Sequence, residues 1–209
     1  MFRKIALLIL LAVPFAAAKE NFRETRTAIQ PFVSGSTIRI DWRVGDLRIV
    51  KGTDAHNIHI QYTIHSERES NMHEARVQIE TRGNETTIES HTPYFENGNT
   101  SIDADIEVPD PANLDVHLKV GDLHVEGISG DKILVVKIGD IRVALGDAPD
   151  YRLVRAKTRI GDVEWSPKKE QTDNLNYGER GWLGGKLSFN GNGKYELRAE
   201  VSIGDIDLR

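Results

Sequence analysis

Cysteine is absent from all 209 residues, so the chain can hold no disulfide, no thiol nucleophile and no thiolate metal site. Its stability must come from apolar burial and backbone pairing. Aromatic residues make up only 7% of the chain, which leaves few ring platforms for a ligand. Basic residues are not in excess: 27 Lys+Arg against 32 Asp+Glu give a formal charge of −5, a composition that favours neither nucleic acid nor an anionic membrane as partner. No H-E-x-x-H spacing and no G-x-S-x-G occurs, so neither a zinc hydrolase nor a serine hydrolase is indicated. Beyond the first eighteen residues nothing is apolar for long enough to cross a bilayer.

Those first residues, MFRKIALLILLAVPFAAAKE, pair Arg3 and Lys4 with an apolar run from Ile5 to Phe15 and small residues Ala16 to Ala18. This is the layout of a cleavable secretory signal over residues 1–18, and its apolar run is short for a membrane span. The expectation is export to the periplasm or cell exterior, no stable membrane insertion after cleavage, and a single domain over residues 19–209. Loss of Arg3 and Lys4 makes the mature chain two charges more acidic.

What the chain does have is alternation with period two, broken at regular places by glycine and aspartate. RVGDLRI, KVGDLHV, KIGDIRV, RIGDVEW and SIGDIDL contain Gly45-Asp46, Gly121-Asp122, Gly139-Asp140, Gly161-Asp162 and Gly204-Asp205, and Gly130-Asp131 falls midway between two of them. Inward residues of one strand lie an even number of positions apart. Across each Gly-Asp the flanking apolar residues are three apart, as Val120 and Leu123 are, so the backbone must turn a corner or carry an extra residue. Glycine reaches restricted dihedrals without steric cost, and aspartate accepts hydrogen bonds from nearby amides. This reading places Val44, Val120, Ile138, Ile160 and Ile203 inward and has each aspartate cap its own corner. Val120→Asp is then expected to be badly tolerated.

The glycine spacings define a unit. Gly121 to Gly139 is 18 residues, Gly139 to Gly161 is 22, and Gly161 to Gly204 is 43, close to two intervals with a less regular rung between. Units near twenty residues mark stacked short strands. The fold class expected is all-β, a β-solenoid-like or parallel β-helix-like stack, with antiparallel hairpins in the N-terminal part and before the last rung. NIHIQYTI reads as a strand, SERESNMHEA as a loop or short helical turn, and Arg82-Gly83-Asn84-Glu85 as a hairpin connection. The glycine-rich segment around residues 166–194 reads as an inserted loop and hairpin, with Leu183, Leu187 and Phe189 covering an edge. The Gly204 rung is expected to be the final edge of the stack.

The series EVPDPANLDVHLKVGDLHVEGISGDKILVVKIGDIRVAL, RAKTRIGDVEW and GNGKYELRAEVSIGDIDL resembles the bacterial "putative adhesin" repeat family, a domain of unknown function with Gly-Asp-containing β-repeats. The resemblance covers residues 32–208 and implies a predominantly β, solenoid-like body in an exported or membrane-linked protein. It implies no catalytic residue. The chain departs from the simpler pattern at Lys132, where an apolar residue would follow Gly130-Asp131, and in the glycine-rich insertion.

Several chemistries remain to be weighed. A column of corner aspartates could hold calcium, yet each corner offers one carboxylate rather than the dense G-G-x-G-x-D pattern, so backbone capping is the favoured role and no cofactor is expected. Arg43, Lys119, Lys137 and Arg159 precede the corners and should run as an outward basic stripe, open to an acidic polysaccharide or a partner protein. Of the seven histidines only His117 and His124, with Glu126, form a cluster worth testing for metal. Tyr94, Phe95 and Trp182 lie in loop-like segments and are the aromatic candidates for contact with a glycan. The function expected is a non-catalytic envelope or cell-surface structural or interaction module whose partner is an envelope protein or surface glycan. The alternatives are a glycan-binding module and a carbohydrate-active enzyme using paired carboxylates such as Asp103, Asp105 and Glu107.

Overall fold

The computed structural model describes residues 21–93, 99–145, 150–165, 175–177 and 184–209. The expected signal, residues 1–18, lies outside them. In chain order the elements begin β1 (Phe22–Pro31), β2 (Thr37–Val44), β3 (Leu47–Lys51), β4 (Asn57–Ser66), α1 (Glu69–Glu74), β5 (Arg76–Arg82), β6 (Glu85–His91) and β7 (Thr100–Val108). They continue with β8 (Asn113–Val120), β9 (Leu123–Glu126), β10 (Lys132–Ile138), β11 (Ile141–Ala144), β12 (Tyr151–Ile160) and β13 (Val163–Trp165). β14 (Leu175–Tyr177), β15 (Lys186–Asn190), β16 (Tyr195–Ile203) and β17 (Ile206–Leu208) complete the order.

The strands form two mixed sheets, so the fold is all-β. One has eight strands in the order β1-β4-β7-β3-β9-β11-β17-β13, the other nine in the order β14-β15-β12-β16-β10-β8-β2-β6-β5. Pairing is parallel through the middle of both: β2 with β8, β8 with β10, β10 with β16 and β16 with β12 in one, and β3, β9, β11, β17 and β13 in the other. It turns antiparallel toward the edges, where β1 meets β4, β5 meets β6 and β15 meets both β12 and β14. The β5–β6 hairpin turns at Gly83-Asn84 with Gly83 at φ +60°, and the polar SERESNMHEA run supplies the short helix α1.

Alternation explains the core. Ile38, Ile40 and Trp42 of β2, Leu114, Val116 and Leu118 of β8, and Leu134 and Val136 of β10 point inward and are buried. From the opposing sheet come Leu47 and Ile49, Leu123 and Val125, Ile141 and Val143. Each such side chain contributes roughly 1.5–3 kcal/mol on burial, which is how strands of three to five residues become stable once stacked. The indole N–H of Trp42 donates to the carbonyl oxygen of Ile102 at 2.7 Å, so the largest core side chain carries no unpaired polar atom.

The 43-residue interval between Gly161 and Gly204 is not two intervals of the stack. The chain leaves β13, forms the antiparallel β14–β15 at the sheet edge, and returns as β16 and β17 between rungs already laid down. The Gly204 rung is therefore interior, flanked by β10 and β12 in one sheet and by β11 and β13 in the other. The edge is covered instead by β15, whose Leu187 and Phe189 are buried, with the Phe189 ring edge-on to Trp165 at 5.0 Å. Leu183 lies outside the described residues.

Candidate functional site: a corner column and the outer sheet face

Five times the chain leaves the nine-stranded sheet and enters the eight-stranded one across a Gly-Asp pair: β2 to β3 at Gly45-Asp46, β8 to β9 at Gly121-Asp122, β10 to β11 at Gly139-Asp140, β12 to β13 at Gly161-Asp162 and β16 to β17 at Gly204-Asp205. Stacked side by side, these corners form one column. Its glycines sit at φ +123° to +138°, a region closed to most side chains. Space forbids a side chain as well: a β-carbon on Gly139 would lie 2.0 Å from the carbonyl oxygen of Gly121, and one on Gly204 would lie 2.1 Å from that of Gly139.

The aspartates work between corners rather than within them. Asp46 Oδ1 accepts from the amide of Asp122 at 2.9 Å, Asp122 Oδ1 from that of Asp140 at 3.0 Å, Asp140 Oδ1 from that of Asp205 at 3.0 Å, and Asp205 Oδ1 from that of Asp162 at 2.8 Å. Asp103, at the start of the column, receives the amide of Asp46 at 3.0 Å. The expectation that each carboxylate caps its own corner is thus corrected: Asp46, Asp122, Asp140 and Asp205 each tie one rung to the next, and Asp162 ends the column, among the described residues, as a donor only. Arg142 lies near the second oxygens of Asp140 and Asp122, at 3.3 and 3.6 Å, and offsets the crowding of like charge.

Gly130-Asp131 belongs to a different column. It carries the chain the other way, from β9 in the eight-stranded sheet to β10 in the nine-stranded one, so nine residues measure one crossing and eighteen a full circuit. Here Asn113 Oδ1 accepts from the amide of Asp131 at 3.0 Å and Asp131 Oδ1 from that of Glu196 at 2.8 Å. Asn113 was visible only as an interval, since it precedes Asp131 by the same 18 residues that separate Asp122 from Asp140.

The inward placement of the residue before the glycine is overturned at four of the five corners, and Val44 at the remaining one is only half-buried. Val120 is 37% exposed, Ile138 49%, Ile160 45% and Ile203 48%. The chain begins its turn one residue before the glycine and carries these side chains to the rim, in register on neighbouring strands: Val120 beside Ile138, Ile138 beside Ile203, Ile203 beside Ile160. The buried residues that flank the corners are instead Leu118 and Leu123 about Gly121 and Val136 and Ile141 about Gly139.

Lys132 replaces the apolar residue of the regular pattern and still points inward, 2% exposed. Its Nζ donates to the carbonyl oxygen of Gly130 at 3.0 Å and to Tyr151 Oη at 2.7 Å. Burial pushes its ammonium down to about 8, against the opposing pull of Asp110, Asp131 and Asp150. Burial likewise drives the Tyr151 phenol well above its ordinary value. At Asp110 burial opposes the charge, yet Lys51 at 2.8 Å and the amide of Ser129 at 2.6 Å hold the carboxyl below its ordinary value.

Arg43, Lys119, Lys137 and Arg159 lie on the outer face of the nine-stranded sheet, on β2, β8, β10 and β12. His117 pairs with Asp115 at 3.0 Å, and His124 with Glu126 at 3.4 Å. Among the described residues no group of three or more His, Asp or Glu could hold a metal ion, and no helix is long and apolar enough to cross a membrane. Asp103 and Asp105 are spoken for in part by His65 at 3.1 Å and Arg48 at 3.7 Å. Tyr94, Phe95 and Trp182 lie outside the described residues.

No family model matches the sequence, and no curated protein matches it. Among solved structures, one from Clostridium sporogenes, described as a "putative cell adhesion protein", is similar over 88% of this chain and 99% of its own, at a TM-score of 0.50 and 15% identity. A "putative adhesin" from Bacteroides fragilis aligns over 89% of this chain and 97% of its own at 11% identity, but its TM-score of 0.27 adds nothing to the assignment. The first likeness shows a shared fold.

Proposed function

We propose that this chain is an exported, non-catalytic structural or interaction module of the cell envelope, its parallel core forming a solenoid-like body over residues 19–209 behind a signal at 1–18. The observation that carries this reading is the corner column: the repeated chemical group in the sequence, the Gly-Asp carboxylate, is committed at four of its five corners to the amide of the neighbouring rung. It serves as a fastener, and what remains for function is a stiff body with in-register rows of outward side chains. The adhesion label of the Clostridium sporogenes protein agrees with this role. The test has two parts. Expressed with its first eighteen residues in a bacterial host, the chain should be recovered outside the cytoplasm with the mass of a product beginning at Lys19. Incubated with envelope polysaccharides, it should release no new reducing ends. A cytoplasmic, full-length product or steady glycan cleavage would each overturn the reading.

A further inference from the structure

The outer face of the nine-stranded sheet carries charge of one sign along one row. Lys119 and Lys137 are exposed on neighbouring strands, Arg43 stands beside Lys119, and Arg159 follows beyond Ser202 on the far side, all held in register by the pairs around them. None of the four makes an ion pair among the described residues, whereas Arg39, Arg48, Arg142, Arg152 and Arg198 each have a carboxylate within reach. With strands 4.7–4.9 Å apart, the row extends about 19 Å across the sheet.

Two grooves open on this same face. One, of about 380 Å³, is lined by Arg43, Lys119 and Lys137 together with Val135, His117 and Glu89. Nδ1 of His91, also on its wall, is buried without a hydrogen-bond partner among the described residues. The other, of about 430 Å³, is lined by Arg155, Lys157, Lys186, Arg198 and Glu200.

We propose that this face binds an acidic polysaccharide lying across the strands. Cations in a row with no ion pair among the described residues repel one another, and a chain that carries one negative charge per short repeat relieves that repulsion while releasing its counterions. The same grooves contain Asp41, Glu89 and Glu200. These carboxylates would repel a continuous phosphate backbone but can accept hydrogen bonds from sugar hydroxyls. Among the described residues the one Phe, Tyr or Trp side chain lining either groove, Trp42, is 1% exposed, so these offer no indole or phenyl platform for stacked bases. The inference names the ligand class of the module proposed above and rests on that reading.

The test titrates the protein with polygalacturonate, with neutral dextran and with single-stranded DNA at low salt. Wild type should bind polygalacturonate but not dextran, with affinity falling as salt rises. Lys119→Glu with Lys137→Glu should weaken binding about tenfold or more and flatten the salt dependence, and the corresponding pair of glutamines should fall between. Arg48→Gln, on the opposite sheet, should bind as wild type. An unchanged melting temperature would show that the variants are folded. No binding by wild type, equal binding by the charge-reversed pair, or tighter binding of DNA than of polygalacturonate would overturn the site. Reducing ends measured in the same mixtures separate the two claims: cleavage overturns the non-catalytic reading and leaves the site standing, whereas absence of binding does the reverse.

Discussion

The two columns of corners stand at opposite ends of the same parallel strands and share one backbone plan, but they are filled differently. In the first, the amide of Gly121 donates to the carbonyl oxygen of Ile138 and that of Leu123 to Asp140, while an aspartate bridges to the next rung. In the second, the amide of Ala112 donates to the carbonyl oxygen of Ser129 and that of Leu114 to Asp131, with Asn113 in the bridging place. What the corner demands is therefore an acceptor on a short side chain, amide or carboxylate, whose reach matches the strand spacing. Formal charge is secondary. The side chain that follows is freer still: Leu123 and Ile141 after the first column give way to Lys132 after the second, provided that its ammonium finds oxygen partners.

Four substitutions would break or sharpen this contrast. The largest effect is expected from Leu118→Asp, which buries an unpaired carboxylate in the core; loss of the folded state at 25 °C, seen as a missing cooperative transition in circular dichroism, is the expected result. Val120→Asp, two residues on and 37% exposed, should cost only about 1 kcal/mol, and equal damage at both positions would show the rim assignment to be wrong. Gly139→Ala should come next, at about 3 kcal/mol or more in chemical denaturation, because it combines a forbidden dihedral with a backbone collision. Gly130→Ala, in the other column, should match it, since its β-carbon would lie 2.2 Å from the carbonyl oxygen of Ala112.

Lys132 supplies a pH-dependent comparison. Its pKa of about 8 in the fold lies below the ordinary 10.5, so the unfolded chain holds this proton more tightly than the folded one does. The cost of burying the charge is fully present below pH 8 and is relieved as pH rises. Between pH 8 and 10 the wild type should gain about 2 kcal/mol relative to Lys132→Met, measured by urea unfolding at both values. A constant difference would mean that the ammonium is hydrated in the fold. A comparably small effect is expected from Asp122→Ala, which removes the acceptor for the Asp140 amide at the surface and should cost about 1–2 kcal/mol. Asp122→Asn should recover most of it, as Asn113 does by nature in the second column.

The sequence announced the strands wherever one face is buried, because alternation and a glycine that must turn leave a mark on composition. It concealed β1, whose residues Phe22–Pro31 pair on one side only and are largely exposed or half-buried, so no apolar alternation was imposed. The residue before each glycine was read inward because parity is counted as if the strand ran straight to the corner, whereas the chain bends one residue earlier. Of the corner column, the glycines and aspartates were legible, but their partners were not, since Asp122 and Asp205 are bonded to residues 18 and 43 positions away respectively. The basic row was legible as residues flanking the motifs; only the register of the sheet shows that they stand side by side on one face.

The interior position of the β16–β17 rung has a consequence for assembly. Strands β12 and β13 are synthesised earlier, yet their parallel neighbours in the stack are β16 and β17, so until residues 195–208 arrive they have nothing on that side to zip against. Closure of a long loop must precede the reward, so the docking of this late segment carries an entropic cost that rungs adjacent in sequence do not. Until it docks, β10 and β11 expose a bare edge to any passing strand, and a chaperone or a second nascent copy would compete for that vacancy.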